Sequence, residues 1–315
     1  MDFAGWQMGR SDAQYALRSR AELTGRLAQA ISGDGVVEPV PGLRLGRASA
    51  PTAVVRSVYI PALCVVAQGS KELWLGEERY RYDPHHYLIT TASLPVASRI
   101  TGASPEQPFL TVMLALDPAL VGSVMVEAGY PVPREQASVR AIAVSPLQAD
   151  LLDAVVRLVR LVNTPADAQV LAPLVTREII FRLLAGEQGA RLRQIATLGG
   201  QRHRIVKAIE RLRTSFDQSL RIEALADELG MSISGFHHHF KAVTAMSPLE
   251  FQKQLRLQEA RRLMLGEGFD ASSAGFRVGY NDASHFTREY KRLFGEPPMR
   301  DVERLRGVVL EGAGL

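Results

Sequence analysis

The sequence predicts a multidomain α+β protein. An amino-terminal β-sandwich or small barrel with flanking helices precedes an all-α domain built on two helix-turn-helix units. Three observations carry this expectation. Short runs rich in Val, Ile, Leu, Tyr and Thr recur from about residue 35 to 131, punctuated by glycines and an Asp-Pro pair. Beyond Pro131 the apolar residues take up a helical period. A segment that begins at Leu225 also returns about fifty residues later, with its glycine, aromatic, lysine and proline in the same order.

Composition bounds the class. The chain has 315 residues, 46% hydrophobic and 22% charged, ordinary for a globular protein with a real core. It contains no apolar run of about 18 residues, so no membrane-spanning helix is expected. The start, MDFAGWQMGRSDAQYALRSR, lacks the basic-then-apolar order of a signal peptide, and the expected location is the cytoplasm. Cys64, the only cysteine, excludes an intramolecular disulfide and a cysteine-rich zinc site. Within ALCVV it reads as a buried small hydrophobe. A net charge of +4 and a pI of about 9.3 suit a nucleic-acid binder without requiring one. Five of the seven histidines, His203, His237, His238, His239 and His285, follow residue 200, so unusual chemistry concentrates there.

In chain order, residues 12 to 31 predict a helix ending near Gly33-Asp34-Gly35. The segments SVYIPALCVVAQ, KELWLG, RYRYD, HYLITTA and PFLTVMLAL predict strands, with turns at Gly76-Glu77-Glu78 and Asp83-Pro84-His85. Ser145-Pro146 predicts a helix cap and first helical residue, followed by Leu147, Leu151, Leu152, Val155, Leu158 and Val159 on one face. Pro173 predicts the opening of a second helix that closes at Gly186. The apolar faces of these two helices suit either the barrel core or a dimer seam, and the sequence leaves both open. The expected domains are therefore residues 1–186, a polar linker at 187–201, a helical domain at 202–301 and a tail at 302–315.

The helical domain carries the information. LADELGMSISGFHHHFKAVTAMSP, residues 225 to 248, repeats as AGFRVGYNDASHFTREYKRLFGEPP, residues 274 to 298. Gly230 matches Gly279 at an offset of 49; Phe240, Lys241 and Pro248 match Tyr290, Lys291 and Pro298 at 50. The second turn is thus one residue longer. Each copy reads as a short helix, a glycine turn and a second helix with aromatics four apart, the helix-turn-helix pattern. In the first copy Ser232 is the expected cap, and Ile233, Phe236, Phe240 and Val243 form the inward face. Three adjacent histidines fan apart at about 100° per residue, so His237, His238 and His239 do not converge on one metal. His237 and His238 fall on the outward side, and His239 on the other flank; plain surface residues are the alternative reading. In the second copy Phe286, Tyr290 and Leu293 are expected inward, with Ser284, His285 and Arg288 on the opposite stripe. Arginine suits bidentate contact with guanine, and serine or histidine single hydrogen bonds at base edges. Lys241, Lys291 and Arg292 are placed for phosphate contact.

These motifs, with SPLEFQKQLRLQEARRLM between them, closely resemble the AraC/XylS family of transcription regulators over about residues 202 to 301. The resemblance implies two recognition helices set in successive major grooves of double-stranded promoter or operator DNA. It implies base-facing positions at Ser234, His237 and His238, and at Ala283, Ser284, His285 and Arg288. Segments 59–96 and 172–196 resemble the amino-terminal domain of one AraC-type subgroup. That likeness implies a cupin-like β-barrel that senses a small-molecule effector or mediates homodimer formation, and RNA polymerase as a further partner. Gly275 stands where the family usually has alanine, and mid-helix glycine costs about 0.5–1 kcal/mol, which predicts a less firmly held second reader. The short Ala283 predicts a smaller share of base contacts there.

Two other classes compete. A cupin enzyme needs clustered metal ligands, whereas the barrel segment offers only adjacent His85 and His86, with Glu72, Glu77 and Glu78 near a turn. An interaction protein would use the helix-turn-helix units on a protein surface. The expectation is a DNA-binding regulator, not an enzyme, with no catalytic residue, metal or cofactor and no membrane partner.

Overall fold

The computed structural model describes residues 3–130, 140–196 and 200–312. The chain divides into two compact units, residues 1–55 with 59–203 and residues 204–315 with 56–58.

The first unit opens with α1 (Phe3–Ala30), where Leu23 and Leu27 are buried, as is Ile31 just past its end. Nine strands follow: β1 (Gly35–Val40), β2 (Leu43–Ala48), β3 (Val55–Tyr59), β4 (Ala62–Gln68), β5 (Ser70–Leu75), β6 (Glu78–Tyr82), β7 (His86–Thr90), β8 (Leu94–Gly102) and β9 (Phe109–Ala115). Then come α2 (Pro118–Glu127), β10 (Ile142–Pro146), α3 (Ala149–Arg160), α4 (Pro165–Ala185) and α5 (Gly189–Ala196). The strands form a six-stranded sheet in the order β1-β2-β9-β4-β7-β10 and a four-stranded sheet in the order β3-β8-β5-β6. The expected barrel is therefore an open sandwich, because each sheet keeps its own pair of end strands among the described residues. Central β4 is buried on both faces, as its unbroken apolar text requires. Leu63, Val65 and Ala67 join the core with Leu23 and Leu27 of α1 and Val155 and Val159 of α3. Cys64 points the other way, and burial pushes its thiol up to about 12, so it is inert at neutral pH.

The Gly76-Glu77 turn joins β5 to β6 with Gly76 at φ 60°. At the second expected turn, the Asp83 carboxylate accepts from the His85 amide at 3.0 Å and pairs with His86 Nδ1 at 2.8 Å. Glu72 accepts from Arg99 Nε at 2.9 Å and also from Arg79. Among the described residues no three His, Cys, Asp or Glu side chains gather as a metal site, and no helix is long and apolar enough to cross a membrane.

Three local expectations are corrected. Ser145 and Pro146 end β10, paired with Tyr87 and His86, and α3 starts at Ala149 behind Gln148. Pro173 lies inside α4, which opens eight residues earlier on Pro165. Segment 187–201 carries α5 and the first residues of α6, with 197–199 outside the described residues. The expected boundary at Pro131 also falls outside them.

Apart from residues 56–58 of β3, the second unit is helical: α6 (Gly200–Thr214), whose first residues precede the division, α7 (Ile222–Glu228), α8 (Ile233–Thr244), α9 (Pro248–Gly266), α10 (Ala271–Arg277), α11 (Ala283–Phe294) and α12 (Pro298–Gly312). Residues read as a tail from 302 lie largely in α12, with 313–315 outside the described residues.

Candidate nucleic-acid interface

Two helix-turn-helix units, α7–α8 and α10–α11, flank α9. Each turn pivots on a glycine in the left-handed region, Gly230 at φ 62° and Gly279 at φ 90°, where a Cβ is disfavoured. A Cβ on Gly279 would also stand 2.0 Å from the Asp217 carbonyl oxygen. Each turn is gripped from the preceding long helix: Arg204 of α6 donates to the Gly230 carbonyl, and Arg256 of α9 to the Gly279 carbonyl, both at 2.9 Å. Arg256 reaches further, donating through Nε to Phe216 O at 2.6 Å and through Nη2 to Gln218 O at 2.8 Å. Gln252 donates to the same two carbonyls, so the loop before α7 is pinned to α9.

Caps then start the outer helices. Ser232 accepts from the Gly235 amide at 3.2 Å, and Asp282 from the His285 amide at 2.5 Å. At the far ends Ala245 (φ 62°) and Gly295 (φ 88°) occupy matching left-handed positions. Ala245 is the one non-glycine with positive φ among the described residues.

The aromatic faces set the rotation of both helices. Phe236, Phe240 and Val243 of α8, and Phe286 and Tyr290 of α11, are fully buried, with Leu293 packed beside them. Ile233, expected inward, is 46% exposed, because the first residue of α8 sits beyond the edge of the packed face. The two copies solve one packing position differently. Phe240 stacks edge-on against Phe251 at 5.3 Å. Fifty residues on, the Tyr290 hydroxyl donates to Asp301 at 2.7 Å. Asp301, fully buried, also accepts from Arg261 through Nε and Nη2, both at 2.7 Å, and from Arg304 at 2.5 Å. Gly275 corrects the expectation of a loosely held second reader: a Cβ there would lie 2.9 Å from the Phe286 ring, so the glycine lets α10 close on α11.

Opposite those faces lie the outward stripes. On α8, Ser234, His238 and Lys241 are exposed and His237 is half-buried; His239, also half-buried, sits with its ring 5.2 Å from that of His238. On α11, Ser284, His285, Arg288, Lys291 and Arg292 are exposed, and Ala283 is half-buried. At the offset of fifty residues Ser234 aligns with Ser284, His238 with Arg288 and Lys241 with Lys291. The position equivalent to His237 is Thr287, which residue-type reasoning passed over. Its hydroxyl turns back to the Ala283 carbonyl at 2.8 Å. Several candidates have local partners: the His237 ring lies 6.1 Å from Phe236, the His285 ring 5.5 Å from Tyr280, and Arg292 pairs with Glu289 at 2.8 Å. Two stripes of small polar, imidazole or guanidinium, and ammonium groups in the same order suit a phosphate-lined groove.

Comparisons with known proteins agree with this geometry. Residues 39–191 match the family described as the AraC-type transcriptional regulator N-terminus, and residues 225–304 match a helix-turn-helix domain family. The HTH-type transcriptional activator RhaS of Escherichia fergusonii is 29% identical over 146 residues, 45% of this chain and 51% of that protein. RhaS of Salmonella typhimurium is 26% identical over 164 residues, 51% of this chain and 57% of that protein. The chain thus matches a little over half the length of these curated relatives. Among solved structures, ToxT from Vibrio cholerae bound to (E)-4-(8-methylnaphthalen-1-yl)but-3-enoic acid superposes with a TM-score of 0.56 at 12% identity. That superposition covers 82% of this chain and 97% of ToxT. A ToxT structure bound to an unsaturated fatty acid gives 0.53 at 10% identity, over 84% and 96%. At these identities the likeness is one of fold.

Proposed function

The chain belongs to the AraC family of transcriptional regulators, and from that premise we propose that it binds promoter or operator DNA sequence-specifically. The register of the two stripes carries this reading. Ser, His or Arg, and Lys recur at the same turns of α8 and α11, on helices whose opposite faces are locked by buried aromatics. Ser234, His237, His238, Ser284, His285 and Arg288 take the base-edge roles. Lys241, Lys291 and Arg292 take phosphate roles, with Arg292 leaving Glu289 to do so.

A small-molecule effector acting through the first unit completes the proposal, supported by the AraC-type match over 39–191 and by the ligand-bound state of ToxT. The name of the RhaS relatives favours activation, with RNA polymerase as the further partner. A homodimer is supported by α4, which is apolar on both sides: its core side is buried while Val170, Leu174 and Phe181 stay exposed. The expected boundaries are retained as a sensor over 1–186 and a DNA-binding domain over 202–301, acting in the cytoplasm without catalysis.

The test is selection of bound sequences from random DNA, followed by titration of the selected site. Affinity is expected to fall steeply with salt, by about 0.9 in logarithmic slope per neutralised phosphate. Arg288→Ala is expected to lower discrimination at one base pair by about 1–3 kcal/mol. Equal loss across all sequences would make Arg288 a phosphate contact. A flat salt response would favour a protein partner for the helix-turn-helix units.

A further inference from the structure

The core-facing side of α4 changes character along its length. In the C-terminal half that side carries Ile179, Ile180, Leu183 and Leu184, all buried. In the N-terminal half it carries only Ala168 and Ala172 as buried residues. The volume that these short side chains leave unfilled is a cavity of about 600 Å³, walled opposite by Leu43 of β2, Leu114 of β9 and Leu158 of α3. That size falls within the range of small-molecule sites, about 300–1,000 Å³.

The lining states what chemistry the cavity accepts. No charged side chain borders it; the polar lining is Gln169 and Thr176. A carboxylate or phosphate buried there would lose its hydration without an ion partner. Pro173 adds one specific feature. It has no N–H, so the carbonyl of Gln169, four residues earlier, lacks its ordinary helical donor. Gln169 and Pro173 both border the cavity, so a backbone acceptor that lacks its helical donor four residues on lies at its wall.

The exposed apolar face of α4 adjoins the cavity. At about 100° per residue, Val170, Leu174 and Phe181 lie about 200–240° round the helix from Ala168, and the lining residues Ala172, Thr176, Gln169 and Pro173 lie at about 40°, 80°, 100° and 140°.

We propose that this cavity between the six-stranded sheet and α4 is a ligand site for an uncharged, mostly apolar small molecule carrying one hydroxyl or N–H donor, which bonds the Gln169 carbonyl. As an effector site it rests on the reading of the first unit as a sensor; as a binding site it does not. Three probes of one shape separate the terms: p-tert-butylphenol, its methyl ether p-tert-butylanisole, and p-tert-butylbenzoate. Calorimetric titration of the full chain without DNA should show the phenol binding about three- to tenfold more tightly than the ether, the worth of one hydrogen bond, with the benzoate weakest. Pro173→Ala restores the missing donor and suits a helix, so it should fold normally and lose the preference for phenol over ether. Ala172→Phe should weaken the phenol about tenfold or more, with folding checked by circular dichroism. Absence of phenol binding, a benzoate that binds best, or a phenol affinity untouched by Ala172→Phe would overturn the site. Operator affinity measured with and without the phenol addresses the sensor reading separately. Binding without any change at the operator would keep the site and remove its effector role.

Discussion

Asp301→Ala removes an acceptor that serves three donors in the second helix-turn-helix unit. The Asp301 side chain is fully buried, and Arg261, bound to both its oxygens, is only 12% exposed. Removing one partner of a buried pair leaves the other charge uncompensated, at a cost of about 3–5 kcal/mol. Arg304, 43% exposed, adds little. Tyr290→Phe deletes one hydrogen bond to a charged group while Arg261 stays satisfied, so it should cost about 1.5 kcal/mol. Once the carboxylate is gone, the Tyr290 hydroxyl has lost its acceptor, and adding Tyr290→Phe to Asp301→Ala should cost almost nothing more. The double-mutant cycle should therefore show a coupling of about 1.5 kcal/mol. Urea unfolding of the full chain, followed by circular dichroism, reads all three variants. A loss below about 1 kcal/mol for Asp301→Ala, or additive single losses, would refute the view that this carboxylate anchors α11 to α9 and α12.

Other predictions concern a base contact, the backbone and charge. His238→Ala should lower discrimination at one base pair of the selected operator by about 1–3 kcal/mol; an unchanged base preference in the variant would remove His238 from the interface. Ala245→Gly should stabilise the chain by about 0.5–1 kcal/mol, since relief of a left-handed alanine exceeds the added freedom of the unfolded chain. A lower melting temperature would count against that strain. The Glu22 carboxyl is held at about 2, chiefly by Arg160, then against burial by Arg26. Its folded pKa lies below the unfolded value, so its contribution is present above about pH 4.5 and lost as pH falls toward 2. With Glu22 31% exposed, solvent screening limits this to about 1 kcal/mol. Glu22→Gln should flatten the urea midpoint over that window, and an unchanged slope would dissociate the pair from acid stability.

The recognition helices were legible because local spacing alone rotates them. Aromatics four apart against a scaffold leave one outward stripe, and Gly230 and Gly279 announce turns that no other residue makes as readily. What stayed hidden depends on partners far along the chain. Ser145-Pro146 has the chemistry of a helix start, yet pairing with Tyr87 and His86 makes it a strand end. Pro173 has the chemistry of a helix opening, yet the residues from Pro165 onward are held by core contacts that outweigh one missing hydrogen bond. Gly275 looked like a weakness only while Phe286, eleven residues later, was not known to lie against it. Asp301 gave no signal either, because its meaning depends on Arg261 and Tyr290 converging from two other helices. The sandwich rather than a closed barrel follows from strand pairing, which composition does not encode.

Arg204 and Arg256 grip the two turns through glycine carbonyls, not through side chains. What orients each outer helix is thus indifferent to the identity of the residues facing outward. Ser234, His238 and Lys241, or Ser284, Arg288 and Lys291, can be exchanged without disturbing the clamp behind them. Such a scaffold separates the groups that hold each helix from those that face outward, so a substitution on either stripe leaves the tilt of its helix unchanged.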